Sequence, residues 1–130
     1  MNFLPILLAV QTIFASAFGL LSSHNQEFIT DNIWGVYVIE PGEIGHPSYY
    51  HSHAYTVGHV LYIGSDTWGQ VHPLMLAQPV YDAGVLCHEA AHGSRAWKEN
   101  FTIHDHWLYS REFDCQLDAV WKLNKWKGRH

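Results

Sequence analysis

The order of apolar and polar residues divides the chain into an apolar N-terminal run, a strand-rich middle part and two helical stretches. Residues 3–21 are uncharged and mostly apolar, and the small residues at 15–17 fit a signal-peptidase site. We therefore expect residues 1–23 to be a secretory signal peptide and residues 24–130 to form a single domain. Two other interpretations of the run stay open, namely an uncleaved membrane anchor and a helix buried in the domain.

Period-two alternation and β-branched residues predict strands in the middle part of the chain. The first strand is expected over residues 33–39. The second covers residues 51–63, of which 55–63 would lie in the sheet. A third strand at 71–77 is weakened by Pro73, because proline cannot donate a hydrogen bond to a neighbouring strand.

Helical periodicity follows in the last third of the chain. The first helix is expected over residues 82–98, after Pro79 and with Asp82 as its N-cap. The second is expected over residues 106–125, capped by Asp105. Together these elements predict an α+β fold, in which a small mixed or antiparallel sheet packs against the first helix and the second helix follows.

The first helix contains the sequence His88-Glu89-Ala90-Ala91-His92, which has the form H-E-x-x-H. His88 and His92 are one helical turn apart, so both imidazoles project from one face and can bind a single Zn²⁺. Glu89 lies beside them and can take a proton from a zinc-activated water. The alternative is a helix with two surface histidines, and the choice depends on a third ligand.

A catalytic zinc site needs a third protein ligand while its fourth position stays open. The metzincin arrangement is excluded, because Arg95 and Lys98 occupy the positions of its further glycine and histidine. Glu112 has apolar or small neighbours one turn away and faces inward, whereas Asp114 lies on a polar face. A carboxylate on a buried stripe needs a partner, which a divalent cation or an arginine at the helix edge would provide. The candidates for the third ligand are Glu112, Asp114, Asp118, His104 and His106.

The motif, followed by Glu112 twenty residues after His92, resembles the gluzincin metallopeptidases. The segment 111–119 is similar to that family's pattern around its ligating glutamate. The resemblance implies a small zincin-like domain in which His88, His92 and Glu112 bind Zn²⁺. Gln116 stands where the family has an aspartate that supports a ligating histidine, and this difference bears on catalytic strength more than on metal binding.

The two cysteines flank the proposed ligands. Cys87 directly precedes His88, and Cys115 follows Glu112 by one helical turn. If zinc joins His88 and Glu112, the cysteines approach each other, and in an exported protein they could form a disulfide between the two helices. The alternative is that both are small buried hydrophobic residues.

The distribution of charge limits the partners that the chain can have. The formal net charge is −5, and all seven Lys and Arg residues lie between Arg95 and Arg129. Because there is no broad basic stripe, we expect no nucleic-acid partner. Eleven histidines exceed the needs of one metal site. His51 and His53 would face the same side of the second predicted strand, either as a second metal site or as its polar end.

These observations predict an exported zinc-dependent metallopeptidase, secreted or extracytoplasmic, that acts on a peptide or protein substrate. Glu89 would be the general base, and Tyr109 and His106 are candidate donors to the oxyanion, together with His104. The alternative is a catalytically weak or inactive zinc-binding module that acts by binding. A membrane partner is expected only if residues 3–21 are an uncleaved anchor, and the sequence does not predict an oligomeric state.

Overall fold

The computed structural model describes residues 2–68, 78–95 and 105–127, apart from the side chains of residues 126 and 127. These residues form a four-stranded sheet, five α-helices and one 3₁₀ helix, so the predicted α+β class is confirmed. None of the helices they form is both long and apolar enough to span a membrane. In chain order the elements are β1 (Asn2–Pro5), α1 (Ile6–Gln11), α2 (Ala15–Phe18), α3 (Ser23–Asn32), β2 (Gly35–Ile39), the 3₁₀ helix (Pro47–Tyr50), β3 (Ala54–Val57), β4 (Val60–Gly64), α4 (Gln78–Ser94) and α5 (His106–Lys127).

The sheet is mixed and has the strand order β1-β2-β4-β3. β2 pairs in parallel with β4, whereas β1 and β3 each pair antiparallel with their neighbour. Val36, Leu61 and Ile63 are at most 1% exposed and form the core together with apolar side chains of α4. Since α4 also contacts β3, an edge strand of the described sheet lies beside the helix that carries the histidine motif.

The prediction of one strand over residues 51–63 is wrong, because this stretch contains a hairpin. β3 and β4 are joined by a two-residue loop, so that Val57 pairs with Val60. Gly58, the first residue of the loop, has a φ of 62°, which glycine adopts freely. A positive φ at this first position is typical of a type II′ turn, whose twist suits a hairpin.

The hairpin also changes which side chains face the core. Thr56 is the cross-strand partner of Leu61, and both are buried. In a single strand with period two they would have pointed to opposite faces. A single strand would have placed Tyr55 on the face of Leu61 and Thr56 on the opposite face. In the structure Thr56 faces inward with Leu61, and Tyr55 lies on the other face.

The other strand predictions have different outcomes. The first predicted strand, 33–39, corresponds to β2, which begins two residues later at Gly35. Ile33 instead forms the C-cap of α3, a helix that the sequence did not predict. The predicted strand at 71–77 lies outside the described residues.

The apolar N-terminal run packs into the core of the domain. β1 pairs with β2, and the side chains of Phe14 and Leu21 are fully buried. The ring of Phe14 lies against that of Trp68, with 4.7 Å between the centroids. This packing agrees with the interpretation of the run as part of the domain. The assignment of residues 1–23 to a cleaved signal peptide stays a prediction.

The helix α4 begins at Gln78, four residues earlier than predicted. Asp82 is therefore not an N-cap, since it lies inside the helix and is only 6% exposed. Pro79 is compatible with this earlier start. Proline lacks a backbone N–H group, and the N–H groups of the first turn have no partner within the helix in any case. The helix is described as far as Ser94, and its predicted end near residue 98 lies outside the described residues.

The helix α5 matches its prediction, and Asp105 caps it as expected. Oδ1 of Asp105 accepts hydrogen bonds from the backbone N–H groups of Trp107, at 3.2 Å, and Leu108, at 3.3 Å. Of the two interpretations of the cysteines, the structure agrees with the disulfide. Cys87 of α4 is bonded to Cys115 of α5, and their Cα atoms are 6.3 Å apart.

Candidate metal centre

The two histidines of the motif lie next to each other on α4. Their Nε2 atoms are 3.2 Å apart, because residues four positions apart share one face of a helix. Together with the carboxylate of Glu89, His88 and His92 form a group whose potential ligand atoms all lie within 4.8 Å of one another. It is the one such group of three or more that the described residues contain, and it could hold a metal ion.

The packing of α4 holds this group in place. Leu86 and Cys87, just before the motif, and Ala90, within it, are fully buried and anchor the helix to the core. Glu89 is 7% exposed and His92 is 6% exposed. Burying polar side chains this deeply costs free energy unless they have hydrogen-bonding or metal partners.

One partner of Glu89 comes from the edge strand β3. The hydroxyl of Thr56 donates a hydrogen bond to Oε2 of Glu89 at 2.7 Å, and both side chains are buried. This bond fixes the orientation of the carboxylate relative to the two histidines. The sequence did not point to Thr56, because its inward orientation depends on the hairpin turn at Gly58.

Glu112 reaches the same region from α5, as predicted from its helical position. Its Oε1 atom is 3.5 Å from Nδ1 of His88. It does not belong to the compact group formed by the motif, and its side chain is 31% exposed. Burial raises the pKa of the Glu112 carboxyl, because the charged form loses hydration. Asp114 instead is exposed and forms an ion pair with Arg111 at 3.2 Å.

A close approach of the two helices brings Glu112 to the histidines. A Cβ atom at Gly84 of α4 would lie 2.7 Å from Nε2 and 2.8 Å from Cγ of Gln116 on α5. A larger residue at this position would require the glutamine side chain to shift. Gln116 thus packs against α4 at Gly84, and the Cys87–Cys115 disulfide joins the same two helices.

The two predicted oxyanion donors on α5 have different surroundings. The ring of Tyr109 packs edge-on against that of His88, with 5.8 Å between the centroids, and is half exposed. Tyr109 is therefore at the candidate site. Nδ1 of His106 lies 3.3 Å from Oγ of Ser110, within its own helix, and the side chain is exposed. His104, the further candidate, is outside the described residues.

Two more polar residues lie on the motif face of α4 and were not singled out from the sequence as parts of the site. Tyr81 and Asp82 precede His88 and Glu89 by seven residues, which is two helical turns, and this spacing could have identified them. Burial raises the pKa of the Tyr81 hydroxyl, and the charges of Glu112 and Asp82 raise it further. Burial also raises the pKa of Asp82 to about 6, although a hydrogen bond with Gln78 lowers it in part.

His51 and His53, for which a second metal site was one of two interpretations, belong to no group of potential metal ligands among the described residues. His51 ends the 3₁₀ helix in a left-handed conformation with a φ of 55°, and both it and His53 are exposed. His46 is a buried histidine with its hydrogen bonds satisfied by other side chains. Its Nδ1 is 2.6 Å from Oγ of Ser48, and its Nε2 is 2.6 Å from Oδ1 of Asp66.

The chain was compared with protein families, with curated proteins and with solved structures. None of the three comparisons found a match.

Proposed function

We propose that the chain is an exported zinc-dependent peptidase built on a small zincin-like domain. The observation that carries the proposal is the 3.2 Å separation of the Nε2 atoms of His88 and His92 beside Glu89. Two nitrogen ligands in a tetrahedral zinc site, each about 2.0–2.1 Å from the ion, are roughly 3.3 Å apart. The pair therefore needs almost no rearrangement to bind Zn²⁺.

Glu112 is the proposed third ligand. It approaches His88 from the helix opposite, and burial raises the pKa of its carboxyl. A bound cation would compensate for that burial. Because Oε1 is now nearest to Nδ1 of His88, ligation requires the glutamate side chain to turn towards the Nε2 side of the ring. The disulfide one turn away keeps α5 within reach for this movement.

The arrangement of side chains supports a defined route for the proton. Zn²⁺ bound by the histidines would supply Lewis acidity, which lowers the pKa of water and polarises a peptide carbonyl. Thr56 holds Oε2 of Glu89, and the other carboxylate oxygen stays available as a proton acceptor. Glu89 would take a proton from the attacking water as the water oxygen bonds to the carbonyl carbon, and would give it to the amine as the C–N bond breaks.

Tyr109 is the candidate donor to the oxyanion. Its ring lies against His88, and its hydroxyl is a hydrogen-bond donor at neutral pH. His106 is kept as a weaker alternative, since its described contact is with Ser110 of its own helix. An extended peptide could pair with the edge strand β3, whose residue Thr56 already contacts Glu89.

The disulfide supports the proposed location outside the cytoplasm. Disulfides persist mainly in oxidising compartments, such as the secretory pathway and the periplasm. The Cys87–Cys115 bond fits a secreted or otherwise extracytoplasmic protein.

A second candidate function is a zinc-binding module without catalysis. A row of exposed apolar side chains on α5 favours it, because such surfaces commonly bind other proteins. Glu89 distinguishes the two functions, since it is needed for proton transfer and not for holding the metal.

The test measures bound zinc and peptide cleavage in the wild type and in Glu89→Gln. We expect about one Zn²⁺ per chain in both, and a loss of cleavage of about 10²–10⁴-fold in the variant. Glu27→Gln, on the exposed side of α3, is the matched control and should behave as the wild type. Absence of zinc from the purified wild type, or full cleavage by Glu89→Gln, would overturn the proposal. Zinc binding without cleavage of a broad peptide library would favour the binding module.

A further inference from the structure

One side of α5 carries a series of exposed apolar side chains. Five side chains form a row along it, which we call the α5 ridge. They are Tyr109 (53% exposed), Phe113 (58%), Leu117 (51%), Val120 (39%) and Trp121 (70%). Their spacing of three to four residues keeps them on one side of the helix, over a length of about 18 Å.

The remaining sides of α5 already have partners in the domain. Leu108, Cys115 and Ala119 are fully buried on the side that faces α4. On another side, Asp118 accepts a hydrogen bond from Asn25 at 2.6 Å, and Lys122 donates one to the carbonyl of Leu21 at 2.8 Å. Apart from Tyr109 at one end, whose ring lies against that of His88, the ridge is largely exposed in the part of the chain that the structure describes.

The size of the ridge makes it unusual for the surface of a monomer. Five large side chains exposed to this extent present about 500 Å² of apolar surface. Continuous apolar patches on monomeric proteins rarely exceed a few hundred Å², and larger ones mark interaction sites. The ridge therefore requires a partner with an apolar surface of similar length.

We infer that this partner is a second copy of the chain, with the two α5 helices antiparallel and Leu117 near the two-fold axis. An antiparallel arrangement places residues at equal distances from Leu117 opposite each other. Phe113 and Trp121 both lie four residues from Leu117, so Phe113 of each copy faces Trp121 of the other. The ridge is self-complementary in this arrangement.

The charges beside the ridge are also self-complementary. Asp114 and Lys125 are eleven residues apart, which is three turns plus about 20°, so they lie on the same flank of α5. Two antiparallel helices bring identical flanks together. Asp114 of each copy, which also pairs with Arg111, then lies about 7.5 Å along the axis from Lys125 of the other copy, a gap that the long lysine side chain can span. A parallel pairing would set opposite flanks against each other and would not bring Asp114 near Lys125 of the other copy.

The buried area predicts a dimer of modest affinity. Two ridges together bury about 1,000 Å², which is the size of weak or transient interfaces, and we therefore expect a dissociation constant on the order of micromolar. An anionic membrane is the less favoured partner. The chain has a net charge of −5, and Lys122 is occupied by the carbonyls of Gly19 and Leu21.

Sedimentation velocity of the full chain tests the inference under non-reducing conditions. We expect a monomer–dimer equilibrium in the micromolar range, with Leu117→Glu raising the dissociation constant by about 100-fold or more. Leu7→Glu, at a position 66% exposed on α1, is the matched control and should dimerise as the wild type. Unchanged melting temperatures would show that the variants fold. A chain that is monomeric at all concentrations, or a Leu117→Glu dimer, would overturn the inference.

A charge exchange tests the orientation of the helices. Asp114→Lys and Lys125→Asp should each weaken the dimer, and the double variant should restore it, because the pairs between copies are then re-formed with reversed polarity. Failure of the double variant to restore it would contradict the antiparallel arrangement. Vesicles of phosphatidylserine provide the remaining control. Binding of a monomeric wild type to them, lost in Leu117→Glu, would assign the ridge to a membrane and overturn the dimer.

Discussion

A hydrogen bond between Thr56 and Glu89 joins the edge strand β3 to the histidine motif, and both side chains are buried. Thr56→Val keeps the shape of the side chain and removes the hydroxyl donor. We expect it to lower the free energy of unfolding by about 1–2 kcal/mol, because a buried carboxylate loses a hydrogen bond. If the proposed peptidase is correct, the turnover number should fall by about tenfold or more with little change in KM.

Thr56→Ser separates the role of the hydroxyl from that of packing. It retains the donor, and we expect it to recover most of the turnover while losing some stability for the deleted methyl group. Denaturant unfolding, zinc titration and steady-state kinetics of both variants provide the measurements. Equal turnover in Thr56→Val and the wild type would show that Glu89 needs no support from β3.

Asp82 gives the chain a pH dependence of known sign. Its pKa is raised from 3.8 to about 6 in the folded protein, so folding favours the protonated carboxyl. The resulting stability is fully present below about pH 4 and is lost as the pH rises through about 6. Above that range the folded state must bury a charged carboxylate.

Asp82→Asn should remove this dependence, because an amide does not ionise. We expect the variant to be more stable than the wild type by about 1–3 kcal/mol at neutral pH, and no more stable at about pH 4. Unfolding is measured with a chelator present, so that metal binding does not contribute. Asp114→Asn, at an exposed position, is the control. A difference between Asp82→Asn and the wild type that is the same at both pH values would contradict the assignment.

Single residues of the site were predictable to different extents. The motif residues and the inward position of Glu112 follow from helical periodicity, which depends only on spacing within one element. The contact of Thr56 with Glu89 depends on how a strand and a helix from distant parts of the sequence are aligned. No local pattern encodes that alignment, and so Thr56 was missed.

At the scale of the elements, variants of α5 show whether the side of the helix that was predicted to face inward also provides the metal ligand. Glu112 and Asp114 are two residues apart, about 200° around the helix, and the structure places only Glu112 beside His88. We expect Glu112→Ala to lower zinc affinity by more than about 100-fold if the carboxylate is a ligand. A loss of about 10–100-fold would instead fit a carboxylate that only hydrogen-bonds to His88.

Asp114→Ala is the matched variant for this comparison. It should leave zinc affinity unchanged and alter stability by about 0.5 kcal/mol or less, since the side chain is exposed. Zinc titrations and thermal melts with and without chelator distinguish the cases. If Asp114→Ala alone loses zinc, the zinc-bound protein uses a different face of α5. If both variants retain zinc, His104 or His106 is favoured as the third ligand.

The strands were harder to predict than the helices. The alternation of residues 51–63 runs through the turn without a break, because the loop contains only two residues. The turn therefore leaves no gap in the sequence pattern. Only Gly58 signals the reversal, and a lone glycine is also compatible with a continuous strand. By contrast, α5 has a capping aspartate and five turns of consistent periodicity, so its start was predicted correctly.

At the scale of the whole molecule, the candidate centre lies where β3, α4 and α5 meet, on a core that includes the N-terminal run. Deleting residues 1–23 removes β1 and the buried side chains of Phe14 and Leu21. Burial of each such side chain contributes about 1.5–3 kcal/mol. We expect the shortened chain to lose most of its stability, as measured by thermal melts of the 1–130 and 24–130 proteins.

The opposite result would support the predicted signal peptide. A 24–130 protein with an unchanged melting temperature and zinc content would show that the run is dispensable after export. N-terminal sequencing of exported material provides an independent measurement. A start near residue 24 agrees with cleavage, and a start at Met1 agrees with a structural role.

The disulfide between α4 and α5 has a consequence for the integrity of the backbone. A protease cut in the segment between the two helices would divide the polypeptide, yet Cys87 and Cys115 would keep the fragments covalently joined. The two histidines would then belong to one fragment and Glu112 to the other. Such a nicked molecule would migrate as one band on a non-reducing gel and as two after reduction. Zinc held between the fragments would be released by reductant, although no ligand had been changed.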